Sequence, residues 1–253
     1  MFKGLKHRLH SKIMHFRLQP IRVYCFHHVS EVFDPVTMWE EDWTQLDTLK
    51  QMIIQLRNEG VEFISLQEAH EKLKHDWMRC KKYAVLTADD GYKSVLTIMP
   101  WLTEENIPIT LFINTHYLDG KSWSDSNDKL AQSIVKNKGG KSGNEKLNIY
   151  LSDEELKQLS QNPMVTLGMH GHEHTDFVHS TEEEFVKDVA ACQEILRAYE
   201  HYVPYFAYPW GHHNTKLDMQ LRKHGIVPVL INKALNYDNT DFINRIAVEE
   251  RYK

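Results

Sequence analysis

Short runs of β-branched, aromatic and other apolar residues recur along the chain, separated by longer stretches in which apolar residues repeat every three or four positions. The short runs predict seven β-strands, over residues 21–26, 61–66, 83–87, 109–114, 165–169, 205–208 and 227–231. The stretches between the strands predict helices. One of these helices covers residues 43–59, and its apolar face is formed by Leu46, Leu49, Ile53 and Leu56.

This alternation of strand and helix is typical of a parallel sheet that is either open or closed into a barrel. Three of the predicted helices begin at a Ser-x-x-Glu capping box: Ser65/Glu68, Ser152/Glu155 and Ser180/Glu183. The chain has no G-x-G-x-x-G or G-x-x-x-x-G-K-[ST] loop after a strand, which disfavours a nucleotide-binding sheet. We therefore predict one α/β domain over residues 21–253, with a polar, glycine-containing loop inserted at 121–147.

The N-terminal segment, residues 1–20, has a different character from the rest of the chain. Apolar residues recur in it at helical spacing, and the basic residues fall mostly elsewhere: Phe2, Leu5, Leu9, Ile13 and Phe16 against Lys3, Lys6, Arg8, Lys12 and Arg17. A basic amphipathic helix can lie on an anionic membrane surface, which predicts weak peripheral membrane contact through residues 2–17. The alternative is a helix that caps the bottom of a barrel.

Composition and charge limit the classes of partner and compartment. The formal net charge of −5 does not indicate nucleic-acid binding, and no nucleic-acid partner is expected. The three cysteines are far apart and form neither a disulfide framework nor a CxxC metal site. The sequence contains neither an apolar run of membrane-spanning length nor the apolar core of a secretory signal. The chain is expected to be cytoplasmic, with the membrane contact, if it forms, at the inner membrane face.

Chemically reactive residues cluster directly after four of the predicted strands. These clusters occupy residues 26–28, 87–91, 169–174 and 208–213. Because the carboxyl ends of parallel barrel strands converge on one face, the four clusters are expected to meet there. Active sites of such barrels are built on that face, so the sequence predicts a functional site at this end.

Two of the clusters contain side chains that suit a divalent metal. Asp89 and Asp90 are adjacent carboxylates, which repel each other unless a cation or hydrogen-bond donors lie nearby. His170 and His174 are four residues apart, with His172 between them. Two imidazoles with one carboxylate are typical of a catalytic metal site. The alternatives are an ordinary Asp-Gly turn and structural histidines.

At these residues the sequence resembles the polysaccharide deacetylases, the carbohydrate esterases that share the NodB homology domain. Residues 87–91 match the family motif T-F-D-D-G except at Ala88, and residues 170–174 match H-[ST]-x-x-H except at Gly171. Residues 207–211, Ala-Tyr-Pro-Trp-Gly, correspond to R-P-P-Y-G without its arginine. The late Leu-x-His motif of the family is absent. Residues 26–29, Phe-His-His-Val, resemble the early Y-H-x-V segment that replaces it in some relatives.

This resemblance, which extends roughly over residues 23–231, implies a distorted (β/α)7 barrel of the NodB type. It also implies one divalent metal ion, with zinc expected and cobalt, nickel or iron also suited to the ligands. The implied metal ligands are Asp90, His170 and His174. Asp89 is implied as the general base and His27 as the general acid.

The resemblance further assigns substrate and oxyanion contacts to the residues after the sixth predicted strand. The backbone N–H of Trp210 is implied as the oxyanion donor, and the aromatic faces of Tyr208 and Trp210 suit stacking on a sugar. The full set of implied substrate contacts is Tyr208, Pro209, Trp210, Gly211 and His172. His172 is expected to face the substrate or to support the metal ligands.

The predicted function is therefore that of a metal-dependent hydrolase acting on carbon–nitrogen bonds other than peptide bonds. It would remove N-acetyl or N-formyl groups from a sugar unit of a polysaccharide or glycan precursor, as in the synthesis of surface polysaccharides. The alternatives are an O-acetyl esterase or non-sugar amidase on the same barrel, and a carbohydrate-binding relative with weakened catalysis. Ala88 and the missing motif arginine favour the last of these, and the intact Asp89, Asp90, His170 and His174 oppose it.

Overall fold

The computed structural model describes residues 18–34, 38–76, 78–118 and 149–249. Residues 2–17 and 121–147, for which the amphipathic helix and the polar insertion are predicted, lie outside the described residues. The described strands are β1 Ile21–Phe26, β2 His28–Ser30, β3 Trp43–Gln45, β4 Val61–Phe63, β5 Lys82–Ala88, β6 Ile109–Ile113, β7 Val165–Met169, β8 Tyr202–Ala207, β9 Val227–Ile231 and β10 Ile243–Ala247.

The described helices lie mainly between the strands. They are α1 Leu46–Asn58, α2 Leu66–His75, α3 Met99–Glu104, α4 Asp153–Ser160, α5 Glu182–Leu196 and α6 Thr215–Lys223. Short 3₁₀ turns cover Lys93–Thr97, Thr115–Tyr117, Phe177–His179 and Pro209–Gly211. Within the described part of the chain, no helix combines the length and the apolar character needed to cross a membrane.

Seven parallel strands close into a barrel in the order β1-β10-β9-β8-β7-β6-β5, and β5 returns to β1. The closing pair runs in register from Ile21 beside Tyr83 to Phe26 beside Ala88. This arrangement confirms the predicted (β/α)7 barrel. Strand β4 pairs only with the first half of β5, and β2 and β3 form a small separate sheet.

The structure corrects three details of the predicted element pattern. The seventh barrel strand is β10, which was not predicted, because Asn244 and Arg245 interrupt its apolar run. The predicted strand 61–66 is the short β4, which is attached to β5 and is not one of the seven. The third capping box is formed by Thr181 and Glu184, one residue later than predicted.

Alternate side chains of the barrel strands point into the barrel and form an inner core. Ile21 and Val23 of β1 lie in this core with Tyr83 and Val85 of β5. At the N-terminal ends of the strands the core continues into α2, whose buried face is formed by Leu66, Ala69, His70 and Leu73. Helix α2 therefore covers the bottom of the barrel. The side chains at the opposite end of the barrel are not covered by this helix and can form a functional site.

The middle of the barrel is filled by Phe112 of β6, which is fully buried. Gly168, on the neighbouring strand β7, leaves room for this ring: a Cβ at that position would lie 2.6 Å from Phe112 Cε1. The guanidinium carbon of Arg245 lies 5.0 Å from the centre of the same ring, within the range of a cation–π contact. The ring of Phe112 therefore packs against the buried guanidinium group of Arg245.

Candidate active site and metal centre

Three of the loops at the carboxyl end of the barrel, those after β5, β7 and β8, turn sharply through a non-glycine residue in the left-handed backbone region. Asp90 has φ 68°, His174 has φ 52° and Trp210 has φ 63°. Such values are uncommon outside glycine, cost of order 1–3 kcal/mol each and tend to cluster at functional sites. Gly91 follows Asp90 and Gly211 follows Trp210, and both glycines also have positive φ. The backbone of each of these two loops therefore reverses direction within two residues.

Asp90, His170 and His174 converge on one point. Oδ1 of Asp90 lies 3.0 Å from Nε2 of His170 and 3.0 Å from Nε2 of His174. Asp90 and His170 are buried, and His174 is partly exposed. The three side chains that were predicted as metal ligands are thus brought together from the ends of β5 and β7.

The two histidines are held in place by their other contacts. Nδ1 of His170 lies 2.9 Å from the carbonyl oxygen of Ala207 and donates its proton there, so in the neutral ring the lone pair is on Nε2. The side-chain amide of Asn114 spans the loop, donating to His172 O at 2.9 Å and accepting from the backbone N–H of His174 at 2.8 Å.

This arrangement fits a divalent metal. With metal–ligand bonds of about 2.0–2.1 Å, a tetrahedral site spaces its ligand atoms about 3.3 Å apart. The two measured spacings of 3.0 Å come close to that value. A lone pair on His170 Nε2 that faces a carboxylate oxygen is repulsive unless a proton or a cation lies between them. The neighbouring histidines hold the pKa of Asp90 well below its ordinary value despite its burial, so the carboxylate is ionised.

Asp89, the adjacent carboxylate, pairs with an arginine and not with His170 or His174. Arg245 of β10 holds it with two hydrogen bonds, Nη1 to Oδ1 at 2.6 Å and Nη2 to Oδ2 at 2.8 Å. Both side chains are buried, and Arg245 is 0 % exposed. Burial alone would raise the pKa of Asp89, but the charge and hydrogen bonds of Arg245, aided by His170, lower it. Asp89 is therefore an ionised carboxylate inside the barrel.

The remaining contacts of Arg245 complete a polar layer at the top of the barrel. Nη1 also donates to Thr87 Oγ1 at 3.2 Å and lies 3.3 Å from Cys25 Sγ. Burial raises the pKa of the Cys25 thiol well above its ordinary value, so this group stays neutral. The group of Cys25, His27 and Asp89 also has metal-ligand spacing, but the arginine already supplies its positive charge.

His27, the predicted general acid, lies directly after β1. One of its ring nitrogens, a carboxylate oxygen of Asp89 and Cys25 Sγ lie within 4.8 Å of one another. Its Nδ1 is 3.5 Å from Oε1 of Glu249, and the same oxygen accepts its backbone N–H at 3.0 Å. Burial lowers the pKa of His27, but Glu249, with smaller contributions from Asp90 and Asp42, raises it overall to about 10. His27 is therefore protonated at neutral pH.

The four residues after β8 divide between the surface and the core. Trp210 is 42 % exposed, and its ring centre lies 5.1 Å from that of His174, so it faces the mouth of the site. Tyr208 was predicted to contact substrate, but it is 1 % exposed and its hydroxyl donates to Asp218 at 2.8 Å. This corrects the prediction, because a buried ring cannot stack on a sugar. Pro209 is buried too, and Gly211 closes the turn through its N–H to Tyr208 O.

His172 does not join the other two histidines of its loop. Its Nδ1 lies 2.9 Å from Thr115 Oγ1, and its ring stands at 5.8 Å from that of His116. The turn of the loop thus sends His170 and His174 to one side and His172 with Glu173 to the other. Neither Thr115 nor His116 was predicted as a site residue.

The sequence analysis did not predict two residues that contact predicted site residues: Arg245, which contacts Asp89, and Glu249, which contacts His27. Both lie at the end of the chain, beyond the predicted strands, and nothing in the local sequence marks them as partners of Asp89 and His27. The sequence signal for a missing arginine was Ala207, which occupies the arginine position of the motif at 207–211. An ionised Asp89 needs a buried cation, and β10 supplies it from a different strand.

Comparison with known proteins agrees with the fold. The family described as polysaccharide deacetylase matches residues 78–229, which is more than half of the chain. The seven-stranded barrel, together with this match, identifies a hydrolase of the carbohydrate-esterase type. The chain belongs to the polysaccharide deacetylase family.

Several solved structures share the fold. IcaB from Ammonifex degensii has 22% identity and a TM-score of 0.69, with 91% of this chain and 92% of that chain covered. The Streptococcus pyogenes deacetylase PplD, in complex with acetate, has 17% identity and a TM-score of 0.69 over 91% and 93% of the two chains. A de-N-acetylase from Aggregatibacter actinomycetemcomitans has 16% identity and a TM-score of 0.68 over 90% and 94%. No curated protein sequence matches the chain.

The buried ion pair generates the first prediction. Arg245→Met leaves Asp89 buried without its partner, which is expected to destabilise the fold by about 3–5 kcal/mol. Urea unfolding of the variant measures this loss. Arg22→Met, on the outward-facing side of β1, is the control and should cost far less. The double variant Asp89→Asn/Arg245→Met should recover part of the stability, since it removes both charges. A loss below about 1 kcal/mol in the single variant, the scale of an exposed ion pair, would contradict the pairing.

Proposed function

We propose that the chain is a metal-dependent deacetylase that hydrolyses the N-acetyl or N-formyl group of a sugar unit in a polysaccharide or glycan precursor. The observation that carries the proposal is the convergence of Asp90, His170 and His174 on one point, with Asp89 next to Asp90 in the chain. Two imidazoles and one carboxylate leave coordination positions for water and substrate. Zinc is the ion that this set favours, and cobalt, nickel and iron suit it too.

Asp89 takes the proton of the attacking water. A divalent ion held by Asp90, His170 and His174 would supply Lewis-acid chemistry, because it would acidify water and polarise an acyl carbonyl group. Asp89 has a lowered pKa and is therefore a weak base, which suits it to a water of that acidity. Arg245 keeps Asp89 ionised and fixes its orientation, because both carboxylate oxygens accept hydrogen bonds from one planar group.

The oxyanion that forms when water attacks the carbonyl carbon needs a hydrogen-bond donor. We assign this role to the backbone N–H of Trp210, whose left-handed conformation turns the peptide within the loop at the mouth. The exposed ring of Trp210 offers an apolar face to the sugar. Tyr208 supports this loop from the core, through its hydroxyl on Asp218.

His27 protonates the departing amine. Its Nδ1 faces Glu249, which leaves Nε2 as the nitrogen that hands over the proton. A sugar amine leaves only when its nitrogen is protonated, whereas an alkoxide leaves an ester more readily. A histidine that stays protonated at neutral pH therefore favours N-deacylation over O-deacylation. In support, one solved relative is described as a de-N-acetylase and another is a deacetylase that holds acetate.

The direct test is hydrolysis of short N-acetylglucosamine oligomers by the zinc-loaded protein. We expect acetate and free amine to appear in equal amounts, and chelator-treated protein to release neither. O-acetylated sugars of similar size are the competing substrates. Acetate released from the O-acetylated sugars alone would contradict the proposal and favour an esterase.

Variants of the same assay separate the proposed roles. His174→Asn keeps a residue that tolerates positive φ but removes the imidazole, so hydrolysis should be lost together with one equivalent of bound metal. Asp89→Asn should retain the metal and lose about 10²–10⁴-fold in turnover. His212→Ala, an exposed histidine paired with Asp176, is the control and should behave as wild type. If His174→Asn binds as much metal as wild type, the ligand assignment is wrong.

The pH dependence of the reaction tests the role of Glu249. Activity should fall as the pH rises through the pKa of His27, because the acid is then deprotonated. Glu249→Gln removes the charge that raises this pKa but retains an acceptor for the backbone N–H of His27. The alkaline limb of kcat/KM should therefore move to lower pH, by about 1–3 pH units. Glu183→Gln, on the exposed face of α5, should leave the limb unchanged. An unshifted limb in Glu249→Gln would remove His27 as the acid.

A further inference from the structure

A second group of metal-binding side chains lies next to the proposed catalytic site. It consists of His116, His172 and Glu173, and we call it the His116 cluster. His116 belongs to the turn that follows β6, and the other two residues lie between the ligands His170 and His174. The backbone N–H of His116 donates to His172 O at 3.0 Å, so the two segments run side by side.

The spacing of the cluster fits a transition-metal ion. Oε1 of Glu173 lies 3.2 Å from Nδ1 of His116 and 3.6 Å from Nε2 of His172. All three ligand atoms lie within 4.8 Å of one another. Tetrahedral coordination with bonds of about 2.0–2.1 Å places ligand atoms about 3.3 Å apart, which lies between the two measured spacings. Two imidazoles and one carboxylate suit zinc, cobalt or nickel better than magnesium or calcium.

The two rings are already oriented for this role. Nδ1 of His172 lies 2.9 Å from Thr115 Oγ1, and when it donates its proton there, Nε2 presents a lone pair toward Glu173. The carboxylate of Asp188 accepts the backbone N–H groups of His172 at 2.7 Å and Glu173 at 3.0 Å. These two hydrogen bonds from the backbone to Asp188 therefore hold the segment that carries His172 and Glu173 in position.

His116 supplies the buried wall of the site. It is 6 % exposed, and within the described residues its Nε2 is buried without a hydrogen-bond partner. The ring therefore has Glu173 as its polar neighbour at Nδ1. When the ring is neutral with its proton on Nε2, its Nδ1 lone pair faces a carboxylate, and a cation between the two atoms removes that repulsion. His172 and Glu173 are partly exposed, which leaves room for water in the remaining coordination positions.

We propose that the His116 cluster binds a second divalent transition-metal ion, separate from the ion held by Asp90, His170 and His174. This ion ties the turn after β6 to the loop after β7. Because that loop also carries His170 and His174, the second ion restrains the position of these two residues. The competing explanation is an ion pair between Glu173 and protonated histidines, which needs no metal.

The test measures bound metal and not hydrolysis, and the zinc that His174→Asn still binds reports on the His116 cluster whether or not the proposed catalytic site holds an ion. Metal-free protein is titrated with Zn²⁺, and bound zinc is counted after removal of excess ion. We expect two equivalents in wild type, one in His174→Asn, and none in the double variant His174→Asn/His116→Ala. Thermal unfolding of His174→Asn should shift to higher temperature on addition of Zn²⁺, and the double variant should show no such shift.

Two further variants make the result specific. His172→Gln on the His174→Asn background removes a different ligand while nearly conserving side-chain size, and its zinc affinity should fall tenfold or more. His179→Ala on that background removes an exposed histidine outside both groups and should retain the full equivalent. The proposal is overturned if His174→Asn binds no zinc, or if neither His116→Ala nor His172→Gln lowers the zinc that it binds.

Discussion

The buried pair of Asp89 and Arg245 is the interaction on which the site depends. Moving a carboxylate and a guanidinium out of water is expensive, and the cost is recovered only when geometry and hydrogen bonds are nearly ideal. Here the two groups form parallel hydrogen bonds of 2.6 and 2.8 Å, with Thr87 and Phe112 around the arginine. The pair joins the end of β5 to β10, the two strands that flank β1, so the cation that keeps Asp89 ionised comes from a strand close in space but distant in sequence.

This pair also explains how two adjacent carboxylates can serve different purposes. Asp89 follows the inward alternation of β5 and is neutralised by the arginine. Asp90 takes a left-handed conformation, φ 68°, and its side chain turns to the two histidines. The reversal separates their charges, although the residues are neighbours in the chain. One carboxylate is therefore available to hold a metal and the other to move a proton.

The side chains of the loop after β7 also form two separate groups. His170 and His174 lie with Asp90, whereas His172 and Glu173 lie with His116. Asn114 and Asp188 fix the backbone of this loop through three of its N–H groups. A short, histidine-rich sequence thus serves two separate groups of ligands.

Local patterns in the sequence predicted those structural features that depend on residues close together in the chain. The strands at 21–26, 165–169 and 227–231 match β1, β7 and β9, because each is an apolar run with clear ends. Strand β10 was missed, since its inward positions carry a buried arginine whose partner is 156 residues away. Tyr208 was misplaced for the same reason: its burial depends on Phe185 and Phe206 packing against it. The convergence of the metal ligands was predictable because parallel strands share one carboxyl end.

The most direct test of this account is to measure the position of the metal in a crystal of the zinc-loaded protein. Anomalous diffraction at the zinc edge locates the ion independently of the protein coordinates. The account predicts a peak about 2.0–2.2 Å from a carboxylate oxygen of Asp90 and from Nε2 of both His170 and His174, with Asp89 still on Arg245. A peak coordinated by Asp89, or the absence of zinc from Asp90, would contradict the separation of base and metal ligand.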